Sequence, residues 1–381
     1  MKDSTSRRGF LAAALAAQGA GAAQATPPII KRQLGKTGLR VSALGFGCMT
    51  TSDPVVIERA ADIGINYFDT ARGYQGGNNE RMVGAALKGK RSNVVISSKT
   101  PAKTKQEALA DLDTSLREIG TDYLDIWFLH NRNTPEEVTD DLLEAQQQAK
   151  KAGKIRFAGV SAHFNMPGML EFLVKRGATD VALVSYNFTM QPDVTRAIEN
   201  ARKAGMGVVA MKVLAGGFSR IRRGDRLYGA DPTKLTATLK QEGAMTAAIR
   251  WALKNESVDT AIVCMTDFDQ LDQNLTAMAK PYGPDDEKLL ASQLAYISPM
   301  YCRMCGACTG VCDKGVRVAD VLRILTYAEG YRDFALARSR YLELPEESRS
   351  ARCSGCDACS VKCPNGVAVQ ARLVAAQQML A

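Results

Sequence analysis

Eight short apolar runs recur along the chain with amphipathic stretches between them, and this alternation limits the fold more than any other feature. The runs lie at 41–49, 67–71, 94–100, 125–131, 155–162, 181–187, 207–213 and 260–265. The stretches near 53–64, 79–88, 104–119, 135–152, 166–176, 191–204 and 238–255 carry the helical period. Strands that alternate with helices form a parallel sheet, and a strand buried on both faces needs a near-continuous apolar run. Eight such units are the number that closes a barrel. The expected fold class is α/β, a closed (β/α)8 barrel. With 381 residues and 46% hydrophobic composition, the chain can build that barrel and a smaller module besides.

Ionisable residues stand where these runs end. Asp69 follows Tyr67-Phe68, Lys99 closes the run from Val94, His130 closes the run from Asp125, and Tyr74 follows Asp69 on a loop. A charge at the end of a buried strand is costly without partners, and barrels place their sites at the C-terminal strand ends. No Ser or Cys is paired with a base here, so proton transfer from a phenol is the chemistry that fits. Free tyrosine titrates near pH ~10, and a neighbouring ammonium favours its phenolate. Tyr74 is read as acid/base, Lys99 as the group that lowers its pKa, Asp69 as the anchor of Lys99, and His130 as the group that orients a carbonyl or alcohol.

These residues also carry a resemblance. The run from Arg32 to Ser42, Gly45-Phe46-Gly47, Phe68-Asp69-Thr70-Ala71 with Tyr74, the Glu80 to Gly84 helix start, Ser98-Lys99 and Leu129-His130 strongly resemble the aldo-keto reductases, over roughly residues 30–280. The resemblance implies a TIM barrel and a nicotinamide, NADP(H) or NAD(H), bound without a Rossmann domain. It implies hydride transfer to or from a small carbonyl or alcohol substrate. It assigns cofactor contacts to Gly47, Ser161, Tyr186, Leu214, Gly216, Gln270 and Asn274, with Ser161 at the nicotinamide amide and Tyr186 stacked on the ring. Ala162 stands where the family often has Asn, and Leu183 where it usually has Gln. The loop 263–268 lacks the basic residue that grips a 2′-phosphate, and Asp267 would repel one, so both nucleotides stay open. Gly217 is expected beside the pyrophosphate with Gly216. The arginines of 220–226 read as a solvated loop or an anion grip, Cys48 and Cys264 as small buried hydrophobes, and His163 as structural or loop-facing.

Eight of the ten cysteines fall in two runs, Cys302, Cys305, Cys308, Cys312 and Cys353, Cys356, Cys359, Cys363, the second followed by Pro364. This is the bacterial ferredoxin spacing for two 4Fe-4S clusters; zinc, which favours two separated pairs, is the weaker alternative. Carried over from that pattern, Cys302, Cys305, Cys308 and Cys363 hold one cluster, and Cys353, Cys356, Cys359 and Cys312 the other. The gap 313–352 reads helical and 364–381 reads as a closing helix, which favours a small, mainly helical dicluster ferredoxin-like domain.

The expected organisation is a signal at 1–25, a barrel at 30–282 and the cluster domain at 283–381. Ser6-Arg7-Arg8-Gly9-Phe10-Leu11 resembles a twin-arginine export signal, with a disordered basic tail as the alternative. A twin-arginine signal implies export to the periplasm of a protein already folded around its clusters. The net charge of +9 is dispersed without an aromatic-interleaved patch, which argues against nucleic acid, and no transmembrane span is expected in the mature chain. Three functional readings follow. The first is an exported reductase coupled to its clusters and to a periplasmic or membrane-associated redox partner. The second is a reductase stapled by its clusters. The third is an electron-transfer iron-sulfur protein whose inactive barrel is a docking scaffold.

Overall fold

The computed structural model describes residues 27–190, 192–217 and 243–381. The signal expected at 1–25 and the arginines of 220–226 lie outside the described residues.

Two antiparallel strands come first, β1 (Lys31–Gln33) and β2 (Arg40–Ser42). Eight parallel strands follow, β3 (Leu44–Gly47), β4 (Tyr67–Asp69), β5 (Val95–Thr100), β6 (Leu124–Leu129), β7 (Ile155–Ala162), β8 (Val181–Ser185), β9 (Gly207–Met211) and β10 (Thr260–Val263). They pair in sequence order, and β10 pairs with both β9 and β3 to close the barrel. The helices between them are α1 (Pro54–Asp62), α2 (Asn78–Ala86), α3 (Lys105–Ile119), α4 (Asp140–Lys151), α5 (Met166–Arg176), α6 (Pro192–Lys203) and α7 (Ala244–Leu253), with α8 (Phe268–Leu275) after β10. The expected run 41–49 divides, because Arg40–Ser42 belongs to the hairpin and Leu44–Gly47 to the barrel.

Local chemistry fixes the element ends. Thr104 and Glu107 form a capping box at the start of α3, and Gly120 ends it in the left-handed conformation at φ +72°. Leu34, Leu39 and Val41 of the hairpin join Tyr67, Ile126, Phe128, Val181, Leu183 and Val209 in one apolar cluster inside the barrel. Gly35, at φ +50°, passes so close to β9 that a methyl there would sit 2.3 Å from the Gly207 amide nitrogen. The hairpin thus plugs the N-terminal end of the barrel.

Strand alternation then decides the other end. Tyr67 of β4, Val95 of β5 and Ile126 and Phe128 of β6 point inward, so by period two Asp69, Lys99 and His130 do too. Phe68, Ile96, Trp127 and Leu129 face the helix layer. The barrel interior is therefore apolar low down and ionisable at its C-terminal rim.

Beyond the barrel, α9 (Pro284–Ile297) packs on α7 through the buried Arg250–Asp286 pair, whose Nε and Nη2 bonds are 2.9 and 2.5 Å. The chain continues through α10 (Val318–Glu329), α11 (Phe334–Leu342), α12 (Glu346–Ser350) and α13 (Val369–Leu380), the helical character expected of 313–352 and 364–381. These helices lie against the barrel rim. Arg340 Nη2 donates to the Gly73 carbonyl at 3.0 Å, and Asn187 Nδ2 to Tyr301 Oη at 3.2 Å. A Cβ on Gly330 would fall 1.9 Å from the Gly216 carbonyl oxygen, so main chain meets main chain there. Among the described residues, no helix is long and apolar enough to cross a membrane.

Candidate active site

The rim residues meet in one arrangement. Lys99 Nζ donates to Asp69 Oδ2 at 2.5 Å, to the Thr70 carbonyl at 2.7 Å and to Tyr74 Oη at 3.3 Å. An ammonium has three protons, and all three are committed. Asp69 Oδ1 accepts from Ser97 Oγ at 2.7 Å. The His130 ring stands edge-on to Tyr74 with centroids 5.9 Å apart. Since the Tyr74 oxygen accepts from Lys99, its own proton is free to point into the cavity.

The loop bearing Tyr74 is held on three sides. Arg72 pairs with the buried Glu80, which also accepts from Ser98 Oγ at 2.5 Å. Gln75, at φ +51°, donates from Nε2 to the Thr51 carbonyl at 2.8 Å. Arg340 holds the Gly73 carbonyl from the C-terminal helices.

The expected acidification of Tyr74 is not what this environment produces. Burial, then the Asp69 carboxylate, hold the phenol well above its ordinary value. Asp69 cancels the charge of the ammonium it binds, so Lys99 positions the phenol rather than ionising it. Burial and then Lys99, Arg340, Arg323 and Arg132 hold His130 well below the usual imidazole value. At neutral pH the site therefore presents a neutral phenol, competent to donate, and a neutral imidazole.

Tyr74, His130, Asp69 and Gly47 line a cavity of about 410 Å³. His163, expected to be structural or loop-facing, lines it as well, its ring 6.1 Å from that of His130. A second cavity of about 490 Å³ adjoins it and shares Lys212, Ile262, Cys264 and Tyr331 as wall. Leu214, Gly216 and Gly217 line this groove together with Thr266 and the segment 330–335. Cys264 faces both cavities rather than serving as core filling. Asp267 caps α8, accepting from the Gln270 amide at 2.8 Å, and Gln270 Nε2 braces Thr266 at 2.8 Å. Asn274 is fully buried, and its amide finds no hydrogen-bond partner among the described residues. An open groove with glycines at its edge suits a dinucleotide.

Two expected cofactor contacts lie elsewhere. Tyr186 follows the parity of Ala182 and Val184, which belong to the outer apolar layer, while Val181 and Leu183 face inward. Its ring packs on Trp251 with centroids 4.8 Å apart, and its hydroxyl bonds Thr195 and Asn255. It is a bolt between α6 and α7, not a ring-stacking surface. Ser161 accepts from the Asn131 amide at 2.8 Å and braces the loop after His130.

The sequence reading missed Arg132, Lys212 and several C-terminal side chains that line the catalytic cavity, Arg317, Arg323, Tyr327 and Arg340 among them. Arg323 and Tyr327, four residues apart, share one face of α10, and Tyr331 follows just past its end. That spacing was the available signal.

The cysteines group four and four. The Cys302 thiol lies within electrostatic reach of Cys308, Cys305 and Cys363, and that of Cys353 within reach of Cys312, Cys356 and Cys359. The Met304 amide and Asn365 Nδ2 each donate to a thiol, on Cys302 and Cys305, at 3.4 Å. Among the described residues, no group of three or more His, Cys, Asp or Glu is arranged to hold a metal ion.

Comparison with known proteins agrees with the barrel. The model of the aldo/keto reductase family matches residues 51–293. The chain is 26% identical over 294 residues to L-galactose dehydrogenase of Arabidopsis thaliana, covering 68% of this chain and 91% of that one. It is 27% identical over 303 residues to L-glyceraldehyde 3-phosphate reductase of Escherichia coli K12, covering 65% and 87%. A solved aldo-keto reductase from Bacillus halodurans, in its holo form, superposes with a TM-score of 0.60 at 26% identity, covering 70% of this chain and 96% of that one. The eight-stranded barrel, its phenol–ammonium–carboxylate rim and this match make the chain a member of the aldo/keto reductase family, an oxidoreductase of that type.

Proposed function

We propose that this protein reduces small carbonyl compounds with NADH or NADPH and carries two 4Fe-4S clusters in its C-terminal segment. The single observation behind the first part is the Asp69–Lys99–Tyr74 chain on the wall of a cavity that opens into a dinucleotide-sized groove. A reduced nicotinamide, when bound, supplies the hydride to the carbonyl carbon. Leu214, Gly216 and Gly217 would border it. Tyr74 Oη gives its proton to the carbonyl oxygen as that oxygen gains charge, while Lys99 holds the phenol oxygen in place. His130, neutral and edge-on to Tyr74, donates a second hydrogen bond to the same oxygen.

The cluster reading is supported by the doubled cysteine spacing and by the four-and-four grouping of thiols with N–H···S contacts. Clusters, when bound, move one electron at a time. We further infer export through the twin-arginine sequence at Arg7 and Arg8, which cell fractionation of the native protein tests.

Anaerobically purified protein is the material for the main test. It is expected to oxidise NADH or NADPH in the presence of aldehydes and to contain iron and acid-labile sulfide equal to two cubes. Tyr74→Phe should lower kcat by about 10²–10⁴-fold. Equal rates in variant and wild type would return the barrel to the role of docking scaffold for an electron-transfer protein.

A further inference from the structure

We propose that the catalytic cavity recognises an oxyanion: Arg323 from α10, Arg132 from the loop after His130, and Lys212 select small carbonyl compounds that carry a carboxylate or phosphate. This rests on the carbonyl-reductase reading and names its substrate class.

The argument begins with charge. Six cations line the cavity, Lys103, Arg132, Lys212, Arg317, Arg323 and Arg340, against the carboxylates of Asp69, Glu137 and Glu343. Each of those carboxylates is already engaged. Asp69 holds Lys99, Glu343 holds Arg340 at 2.8 Å, and Glu137 accepts from the Asn133 amide at 2.6 Å. Asp320, behind the wall, is shared by Arg317 at 2.6 Å and Arg323 at 3.1 Å, so that trio stays one charge positive. Lys212 forms no ion pair among the described residues, and its ammonium turns to Tyr327, whose ring centroid lies 5.5 Å away.

Donors remain unused as well. Arg132 is 6% exposed, and its Nε has no partner among the described residues. Arg323 Nη1 binds Tyr327 Oη at 2.7 Å, while its Nε is also unpartnered. Buried guanidinium donors without acceptors are costly unless a ligand supplies the acceptor. With Arg323 Nη2 on Asp320 at 3.1 Å and Arg132 Nη2 on the Ala102 carbonyl, each arginine keeps its Nε–H for a carboxylate or phosphate oxygen, a charge-assisted bond. The same field registers on a third group. Burial pushes the Tyr327 phenol up, yet Arg323 and Lys212 outweigh burial and draw it down to about 8.

The anion belongs to the substrate rather than the cofactor. Arg132 and Arg323 line the cavity that contains Tyr74 and His130, and neither lines the adjoining groove. Lys212 borders both, so Arg323 is the residue that separates the two possibilities.

The test uses full-length, anaerobically purified protein and matched substrate pairs. Succinic semialdehyde is compared with butanal, and glyceraldehyde 3-phosphate with glyceraldehyde, each by initial rates of NAD(P)H oxidation. The charged member should win by tenfold or more in kcat/KM, as expected for about 1.4 kcal/mol or more from a charge-assisted bond. Whichever pair shows the larger ratio identifies carboxylate or phosphate as the recognised anion. Arg323→Gln should cut that ratio about tenfold, chiefly through KM for the charged substrate, and Arg323→Lys should restore part of it. A merely structural arginine would lower both members in step and leave the ratio unmoved. Unreactive succinate or inorganic phosphate should compete with the neutral aldehyde in the wild type, a measurement that needs no variant. Reduction without charge preference and without such competition overturns this inference alone. If no member of either pair is reduced, the reductase reading falls and this inference falls with it.

Discussion

The two halves of the chain each bury an ion pair, and the pairs differ in what they leave over. Lys99 and Asp69 at the barrel rim have side chains 1% and 3% exposed, and Arg372 and Glu329 between α13 and α10 are 4% and 2% exposed. Burial alone does not distinguish them. The carboxylate of Glu329 accepts from both terminal nitrogens of Arg372, Nη1 and Nη2, one on each oxygen, which locks two helices together. Lys99 instead spends one donor on Asp69, one on a carbonyl and the third on Tyr74, whose proton then faces the cavity. A buried charge pair marks a site when one member still holds a group that can react. Otherwise it is a fastening, and an apolar pair of similar shape could replace it.

Substitutions can break this contrast. Lys99→Met strands the Asp69 carboxylate, which should cost about 3–5 kcal/mol of stability and lower carbonyl reduction by at least about 10²-fold. Adding Asp69→Asn should recover most of the stability, read by denaturant unfolding, without recovering the rate. Arg372→Met should destabilise by a comparable or slightly smaller amount, about 3 kcal/mol. Here the double variant with Glu329→Gln should restore both stability and rate. If the rim double variant regains its activity, or the helix double variant does not, the distinction fails.

The smallest effect is one of pH. Tyr327 is neutral below its pKa of about 8 and becomes a phenolate as pH rises through it. Arg323 on its own helix, Lys212 after β9 and Arg340 on α11 then lose part of their excess charge to it, while Tyr74 stays protonated. KM for a charged carbonyl should rise about threefold between pH 7 and 9, with KM for its neutral counterpart flat over the same range. Tyr327→Phe should remove the rise.

Much of this architecture is legible in the residues. The eight apolar runs fall on the eight barrel strands, and Asp69, Lys99 and His130 project inward because they share parity with Tyr67, Val95 and Phe128. Tyr186 shows what the same rule corrects in a resemblance. Its motif suggested a ring-stacking surface, yet its parity with Ala182 and Val184 already pointed it outward. The acidity of Tyr74 was misjudged for another reason. A sequence places an ammonium near a phenol, but how fully both are buried, and how completely Asp69 cancels the charge, depend on packing. The contribution of Arg323 and Tyr327 was hidden because helical period marks a face without saying what lies opposite. Only the docking of α10 on the barrel rim places them in the cavity.

That docking has a further consequence at Gly330. Where its α-carbon presses on the Gly216 carbonyl, neither partner offers a side chain, so the clearance between the helical cap and the lip of the groove is not adjustable by exchanging one residue for another. Side-chain contacts let a protein retune its spacing in small increments, whereas a contact made only of peptide units acts as a fixed gauge. The height of the entrance above Leu214 and Gly216 is therefore a property of two backbones, and even one added methyl group would jack it open.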